Sequence, residues 1–213
     1  ASGQTTILLL GQGDSEHDGI DLTDAIMVAS LDRDSVVLLS LPRDLYFLHT
    51  EKMGAGKLNT FWRDYRITLQ RQGKERREAP VPSRAEASIL AMQEVTKEIG
   101  AALDLPIHYA VKVDFTAFEE IVNAAGGIDI TVPETIDDTE FPGPNYTFET
   151  FHLDAGPQHL DGKTALKYAR TRHASSDFDR SARQQQVLRA VAEKAKTKGL
   201  LQQPKILLEL VEI

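Results

Sequence analysis

Strand-like and helix-like patterns interleave along this 213-residue chain, which predicts an α/β fold with a sheet covered by helices on both faces. Three observations carry that expectation. Short apolar runs stop at Gly, Pro or Asp, and longer stretches repeat apolar residues every three or four positions. The composition, 41% hydrophobic and 26% charged, supplies a core and lacks the signature of disorder. No Gly/Ser/Pro-rich linker divides the chain, so one domain covering residues 1–213 is expected.

Thr6–Leu10 is an apolar strand that runs into a turn at Gly11-Gln-Gly-Asp14. Ala25–Ser30 and Ser35–Ser40, joined by the charged Asp32-Arg-Asp34, read as a hairpin that stops at Pro42. Ile89, Met92, Val95, Ile99 and Leu103 define an amphipathic helix from about Arg84 to Leu103. Ile107–Val113 alternates as a strand, Phe115–Ala125 is a helix closed by Gly126-Gly127, and Ile128–Val132 is a strand ended by Pro133. An irregular stretch rich in Pro, Gly and Asp follows. Helical patterns return near Asp161–Ala169 and again from about Arg180 to Lys198.

The chain is acidic, with a net charge of -8, which argues against nucleic acid as a partner. It has no Cys, which excludes disulfides, thiolate catalysis and Cys-ligated zinc. Against this acidic background, Lys163, Lys167, Arg170, Arg172, Arg180 and Arg183 face only Asp177 and Asp179 over the same stretch. Four of these six cations are Arg, whose planar fork binds phosphate oxygens in pairs and stays charged at any working pH. An anionic ligand, such as a phosphate ester, is the expectation.

Asp14 lies just past one predicted strand and Asp24 just before the next, so two carboxylates could meet at one sheet edge. Hard carboxylate oxygens suit Mg or Mn, and with the Arg cluster a cation could share the charge of a pyrophosphate. Arg43 and Asp44 follow a strand and a Pro, as a local ion pair or as part of the same site. The Gly11-Gln-Gly13 turn lacks the third Gly of a dinucleotide-binding loop, and neither a Walker motif nor a Ser nucleophile elbow is present. The run from Arg63 to Arg84, with seven cations, reads as a solvated face, or alternatively as a contact for anionic lipid or glycan. The six His are scattered without metal-site spacing.

Taken in order, several segments resemble the catalytic domain of the LytR-CpsA-Psr (LCP) family. They are Leu8–Gly11 with Asp14, Leu22–Met27, Ser40–Asp44, Lys57–Asn59, Val113–Phe115, Gly126–Ile130, Leu160–Arg172 and Ser176–Gln185. The resemblance implies a three-layer α/β/α sandwich with a central mixed sheet and an apolar pocket for a prenyl lipid. It implies an enzyme on the extracytoplasmic face of a bacterial cytoplasmic membrane, tethered by a helix preceding Ala1. Such an enzyme moves a glycopolymer with one phosphate from polyprenyl pyrophosphate to a peptidoglycan sugar hydroxyl and releases polyprenyl phosphate. By the family's pattern Asp14 and Asp24 would hold Mg (or Mn). Arg43, Lys57, Arg170, Arg172, Arg180, Arg183 and Gln184 would contact the pyrophosphate, and Asp24, Arg43, Arg172 and Asp177 would form the catalytic set. Leu22 departs from the pattern, since many members have Arg there, two residues before the metal-binding Asp. The alternatives are a non-catalytic binder of polyprenyl-pyrophosphate glycans and a polyprenyl-pyrophosphate hydrolase.

Overall fold

The computed structural model describes residues 4–13, 21–32, 35–47, 54–75, 81–143, 147–171 and 177–197. These fall into two compact units, within 4–113 and 114–197. The first unit runs β1 (Thr5–Gln12), β2 (Thr23–Leu31), β3 (Val36–Ser40), β4 (Tyr46–Phe47), β5 (Gly56–Lys57), a 3-10 turn (Leu58–Thr60), α1 (Phe61–Glu75), α2 (Arg84–Leu103) and β6 (Tyr109–Val113). The second runs α3 (Phe115–Ala124), β7 (Ile128–Val132), β8 (Ile136–Pro142), β9 (Phe148–Leu153), β10 (Gly156–Leu160), α4 (Gly162–Arg170) and α5 (Asp177–Thr197). The expected α/β class and mixed sheet are both present.

In the first unit four strands lie in the order β3-β2-β1-β6, with β1 antiparallel to β2, parallel to β6, and β2 antiparallel to β3. This topology puts the end of β1, the start of β2, and the exits of β3 and β6 at one end of the sheet. Alternation along β1 buries Thr6, Leu8 and Leu10. Leu8 and Leu10, with Ile26 and Val28 from β2, form a core with α1 and α2. α2 meets them through Ala87, Ala91, Val95 and Ile99, one residue per turn. Its start is fixed by a capping box: the Ser83 side chain accepts from the Glu86 N–H while the Glu86 carboxylate accepts from the Ser83 N–H. β6 begins two residues later than expected, because His108 instead locks onto β1, its N–H donating to Thr6 O and its Nδ1 accepting from the Thr6 N–H.

α1 corrects the reading of Arg63–Arg84 as a solvated face at Arg66, while the Arg71 and Arg84 side chains are exposed as expected. Phe61, Trp62, Tyr65 and Leu69 are buried in the core, and Arg66 is 5% exposed. Arg66 reaches Asp21 through Nη2 at 2.5 Å, so the charge run conceals a buried ion pair.

In the second unit β7 pairs with β10 and β8 with β9, both antiparallel. Ile128, Ile130, Val132, Phe141, Phe151 and Leu160 build its core with Val122, Ala165, Tyr168 and Val187 from the helices. The stretch expected to be irregular therefore holds a hairpin, with a register shift between Asp138 and Phe141. Asp114 caps α3 and Asp161 caps α4, each accepting from an N–H three residues on. Gly162 lets α4 touch α3 directly, for a Cβ there would lie 2.3 Å from Glu119 O. α5 starts three residues earlier than the pattern suggested.

Candidate active site

In the first unit the sheet end collects a cluster around Asp24, which lies in β2 rather than before it. Its Oδ1 is 3.2 Å from Arg43 Nη1 and accepts from Asn59 Nδ2 at 3.1 Å. Arg43 also faces Asp44, with Nε 3.4 Å from Oδ2, and Lys57 Nζ bonds Asp44 Oδ1 at 2.7 Å. Lys57, by hydrogen bond, and Arg43 hold the Asp44 carboxyl below the ordinary carboxylate range. Thus Asp24, Arg43 and Lys57, named from the sequence, come together with Asp44 and Asn59.

Backbone bonds fix this cluster. The Asn59 N–H donates to Arg43 O at 3.1 Å, the Leu58 N–H donates to Leu45 O, and buried Thr23 donates from Oγ1 to Asn59 O. Beside it, Asp21 stands in the left-handed region at φ 65 and takes donors from Gln12, Arg66 and Arg84. Gln12 in turn accepts from Lys112, whose ammonium lies 4.6 Å from the Trp62 ring centre. Trp62 and Lys112 line one part of a cavity of about 580 Å³ between α2 and β6, whose walls elsewhere include Ile89, Met92, Leu105 and Ile107. A hydrogen-bonded chain therefore leads from an apolar cavity to Asp21, just before the strand that carries Asp24.

The residues present fit a hard cation in part. Asp24 is half-exposed, and among the described residues the Asn59 amide and the Arg43 guanidinium both lie at Oδ1, leaving Oδ2 without a donor. Among the described residues no group of three His, Asp or Glu could hold a metal by itself. Asp14, the second expected ligand, lies outside the described residues, as does Arg172.

In the second unit the cationic cluster surrounds the end of α4 and the first turns of α5. Arg170, the last residue of α4, stacks 4.2 Å from the Phe115 ring centre and 5.3 Å from that of Phe141. Arg183 donates to Thr171 O, Gln184 donates to Ala169 O at 3.4 Å, and Arg180 is 7% exposed. Burial pulls the Arg183 guanidinium down while Tyr168, Asp179, Glu134 and Asp138 pull it up; it stays cationic. Thr171 Oγ1 donates to buried Asp138, so the segment between Arg170 and Arg172 is tied to β8. Asp177 opens α5, its side chain outside the described residues.

Sequence reasoning missed Asn59, Asp21, Arg66, Lys112 and Asp138. Asn59 stood in the Lys57-Leu-Asn59 motif, and Phe61, Tyr65 and Leu69 at four-residue spacing could have revealed α1 and so the setting of Arg66. Nothing local marks Asp138 or Lys112.

The model of the LytR_cpsA_psr family matches residues 1–212. The chain belongs to the LytR-CpsA-Psr family. It is 31% identical over 197 residues to the polyisoprenyl-teichoic acid–peptidoglycan teichoic acid transferase TagU of Bacillus cereus (strain AH820), covering 91% of this chain and 53% of that protein. Over 211 residues it is 31% identical to the cell wall biosynthesis protein LcpA of Corynebacterium glutamicum (strain ATCC 13032), covering 93% and 37%. The chain thus spans about half the length of TagU and less of LcpA. Among solved LytR-CpsA-Psr structures, B. subtilis TagV matches with a TM-score of 0.63 and 26% identity, over 91% of this chain and 65% of that one. The family protein YwtF (TagT) with bound octaprenyl pyrophosphate lipid matches with a TM-score of 0.59 and 26% identity, over 92% and 68%.

Proposed function

We propose that this chain is the catalytic domain of a phosphotransferase that moves a glycopolymer, with one phosphate, from a polyprenyl-pyrophosphate carrier to a peptidoglycan sugar hydroxyl. Membership of the LytR-CpsA-Psr family supports this reading, as do a relative named as a teichoic acid transferase and the TagT structure with octaprenyl pyrophosphate. The observation that carries it is the grouping, within one unit, of the Asp24–Arg43–Lys57–Asp44 charge cluster with an apolar cavity between α2 and β6, from whose Lys112 hydrogen bonds run through Gln12 to Asp21, three residues before Asp24. An isoprenoid tail needs the apolar cavity, and a pyrophosphate needs the cations.

The reaction needs no covalent protein intermediate. The acceptor oxygen bonds to the sugar-linked phosphorus, the bond from that phosphorus to the bridging oxygen breaks, and the electron pair leaves on polyprenyl phosphate. Arg43 and Lys57 stabilise charge on the phosphate oxygens, and the family pattern adds Arg170, Arg172, Arg180, Arg183 and Gln184 to that work. Bound Mg or Mn, for which Asp14 and Asp24 are the carboxylates, would neutralise part of the pyrophosphate charge. The acceptor's proton needs a carboxylate base, for which the sequence offers Asp24 or Asp177. The setting is the cell envelope, on the extracytoplasmic face of the membrane. Among the described residues no helix is long and apolar enough to cross a membrane, and attachment through a segment preceding Ala1 belongs to this proposal.

The test is release of polyprenyl phosphate from a short-chain prenyl-pyrophosphate sugar, with and without peptidoglycan fragments and Mg. Release that requires the fragments and disappears in Arg43→Ala supports transfer. Release without fragments makes the protein a hydrolase, and tight lipid binding with no release in any condition makes it a carrier.

A further inference from the structure

Asn59 is 7% exposed and touches two candidate residues of the first unit, Asp24 and Arg43. Its side chain donates to Asp24 Oδ1 at 3.1 Å, its backbone N–H donates to Arg43 O at 3.1 Å, and its carbonyl accepts from Thr23 Oγ1 at 3.2 Å. Only the amide nitrogen can donate to a carboxylate, so the side-chain oxygen is fixed on the opposite branch. That oxygen, Oδ1, is buried with no hydrogen-bond partner among the described residues.

A buried amide oxygen left without a donor destabilises a fold, and most buried side-chain polar atoms have a partner. The backbone bonds of Asn59 would survive with any side chain there. Stability therefore does not account for the amide, and what the amide uniquely supplies is the Nδ2 bond to Asp24. That bond falls on Oδ1, where the Arg43 guanidinium also lies, so that among the described residues Oδ2 is left for a ligand.

We propose that Asn59 is a positioning residue that orients the Asp24 carboxylate for a hard divalent cation and maintains this orientation at the expense of fold stability. The inference rests on the cation-assisted reading of the site given above. Groups of this kind, which orient a ligand rather than bind the metal, typically change metal affinity by about 10- to 100-fold when removed.

The experiment is a Mn²⁺ titration followed by electron paramagnetic resonance, with thermal unfolding in parallel, on wild type, Asn59→Leu and Asn59→Asp. Leu is close in size and has no unsatisfied oxygen. Asn59→Leu is expected to weaken Mn²⁺ binding at least about 10-fold while its unfolding midpoint holds or rises. Asn59→Asp loses the donor and sets two carboxylates against each other. A proton held between them competes with Mn²⁺, so its Mn²⁺ affinity rises more steeply with pH than that of the wild type. Wild-type affinity and pH profile in both variants overturn the proposal and leave the cation reading standing. Absence of Mn²⁺ binding in the wild type overturns both, while the lipid assay still decides the transferase reading. If Asn59→Leu fails to fold, the amide is structural and the stability half is overturned, and Asn59→Asp alone decides the positioning half.

Discussion

Replacing Arg66 by Met should cost the fold far more than a surface charge would. Arg66 and Asp21 are 5% and 8% exposed, and their ion pair joins α1 to the approach of β2. Removing one partner of a buried pair costs about 3–5 kcal/mol, because the other charge stays behind without compensation. Here Asp21 keeps Gln12 and Arg84, though the Arg84 side chain is 69% exposed and therefore a weaker partner. The low end, about 3 kcal/mol, is the expectation. For a chain of this size that lowers the unfolding midpoint by about 6–12 °C. The assay is thermal unfolding followed by circular dichroism for Arg66→Met, Asp21→Asn and the double variant. Because a buried pair can be exchanged for neutral groups at little cost, the double variant should recover at least about half the loss. A single-variant shift under about 2 °C, or a double variant as unstable as the sum of the two, would refute the buried-pair account.

Other outcomes follow from the same geometry. Arg43→Lys keeps the charge but not the fork, so turnover of a prenyl-pyrophosphate sugar should fall by about 10²–10³ with the unfolding midpoint nearly unmoved. Gly162→Ala forces a Cβ against Glu119 O and should destabilise the α3–α4 packing by about 3 kcal/mol, measured by urea unfolding. Asp137 and Asp154 raise the pKa of His152 above its ordinary 6.5, so its contribution to stability is complete below that value and is lost as pH rises through the folded one. The stability gap between wild type and His152→Gln, followed by thermal unfolding from pH 6 to 8, should therefore shrink as pH rises. An equal gap across that range would overturn the pairing.

Much of the fold was legible because burial leaves a periodic trace. Ile128, Ile130 and Val132 alternate, Ala91, Val95 and Ile99 recur each turn, and Gly126 and Gly127, at φ 76 and 79, mark a helix end. α1 was obscured because Arg63, Arg66 and Arg71 dilute its apolar stripe, and no local rule shows that one of these cations meets an acid 45 positions upstream. The β8–β9 hairpin was hidden for the opposite reason, since its exposed positions are polar enough to pass for loop and only Phe141, Phe151 and Leu153 are buried among the hydrophobics. Asp24 and Arg43 were readable as charged residues beside predicted strands, and Lys57 only through the family resemblance. Their convergence was not, because it depends on the register of β2 with β3 and on Asn59 lying against both.

The parallel ladder between β1 and β6 closes the sheet with partners far apart in the chain, beginning with Ile7 opposite Tyr109. β1, β2 and β3 form a local meander that can assemble early, while the free side of β1, with Ile7 and Leu9 along it, waits for a strand made a hundred residues later. Loops of that span close slowly, and an unpaired apolar strand edge invites pairing with other chains in the interval. The vulnerable moment in this molecule's life is thus during folding, and β6 is its safeguard. Chains cut before Tyr109 should aggregate rather than merely lose activity.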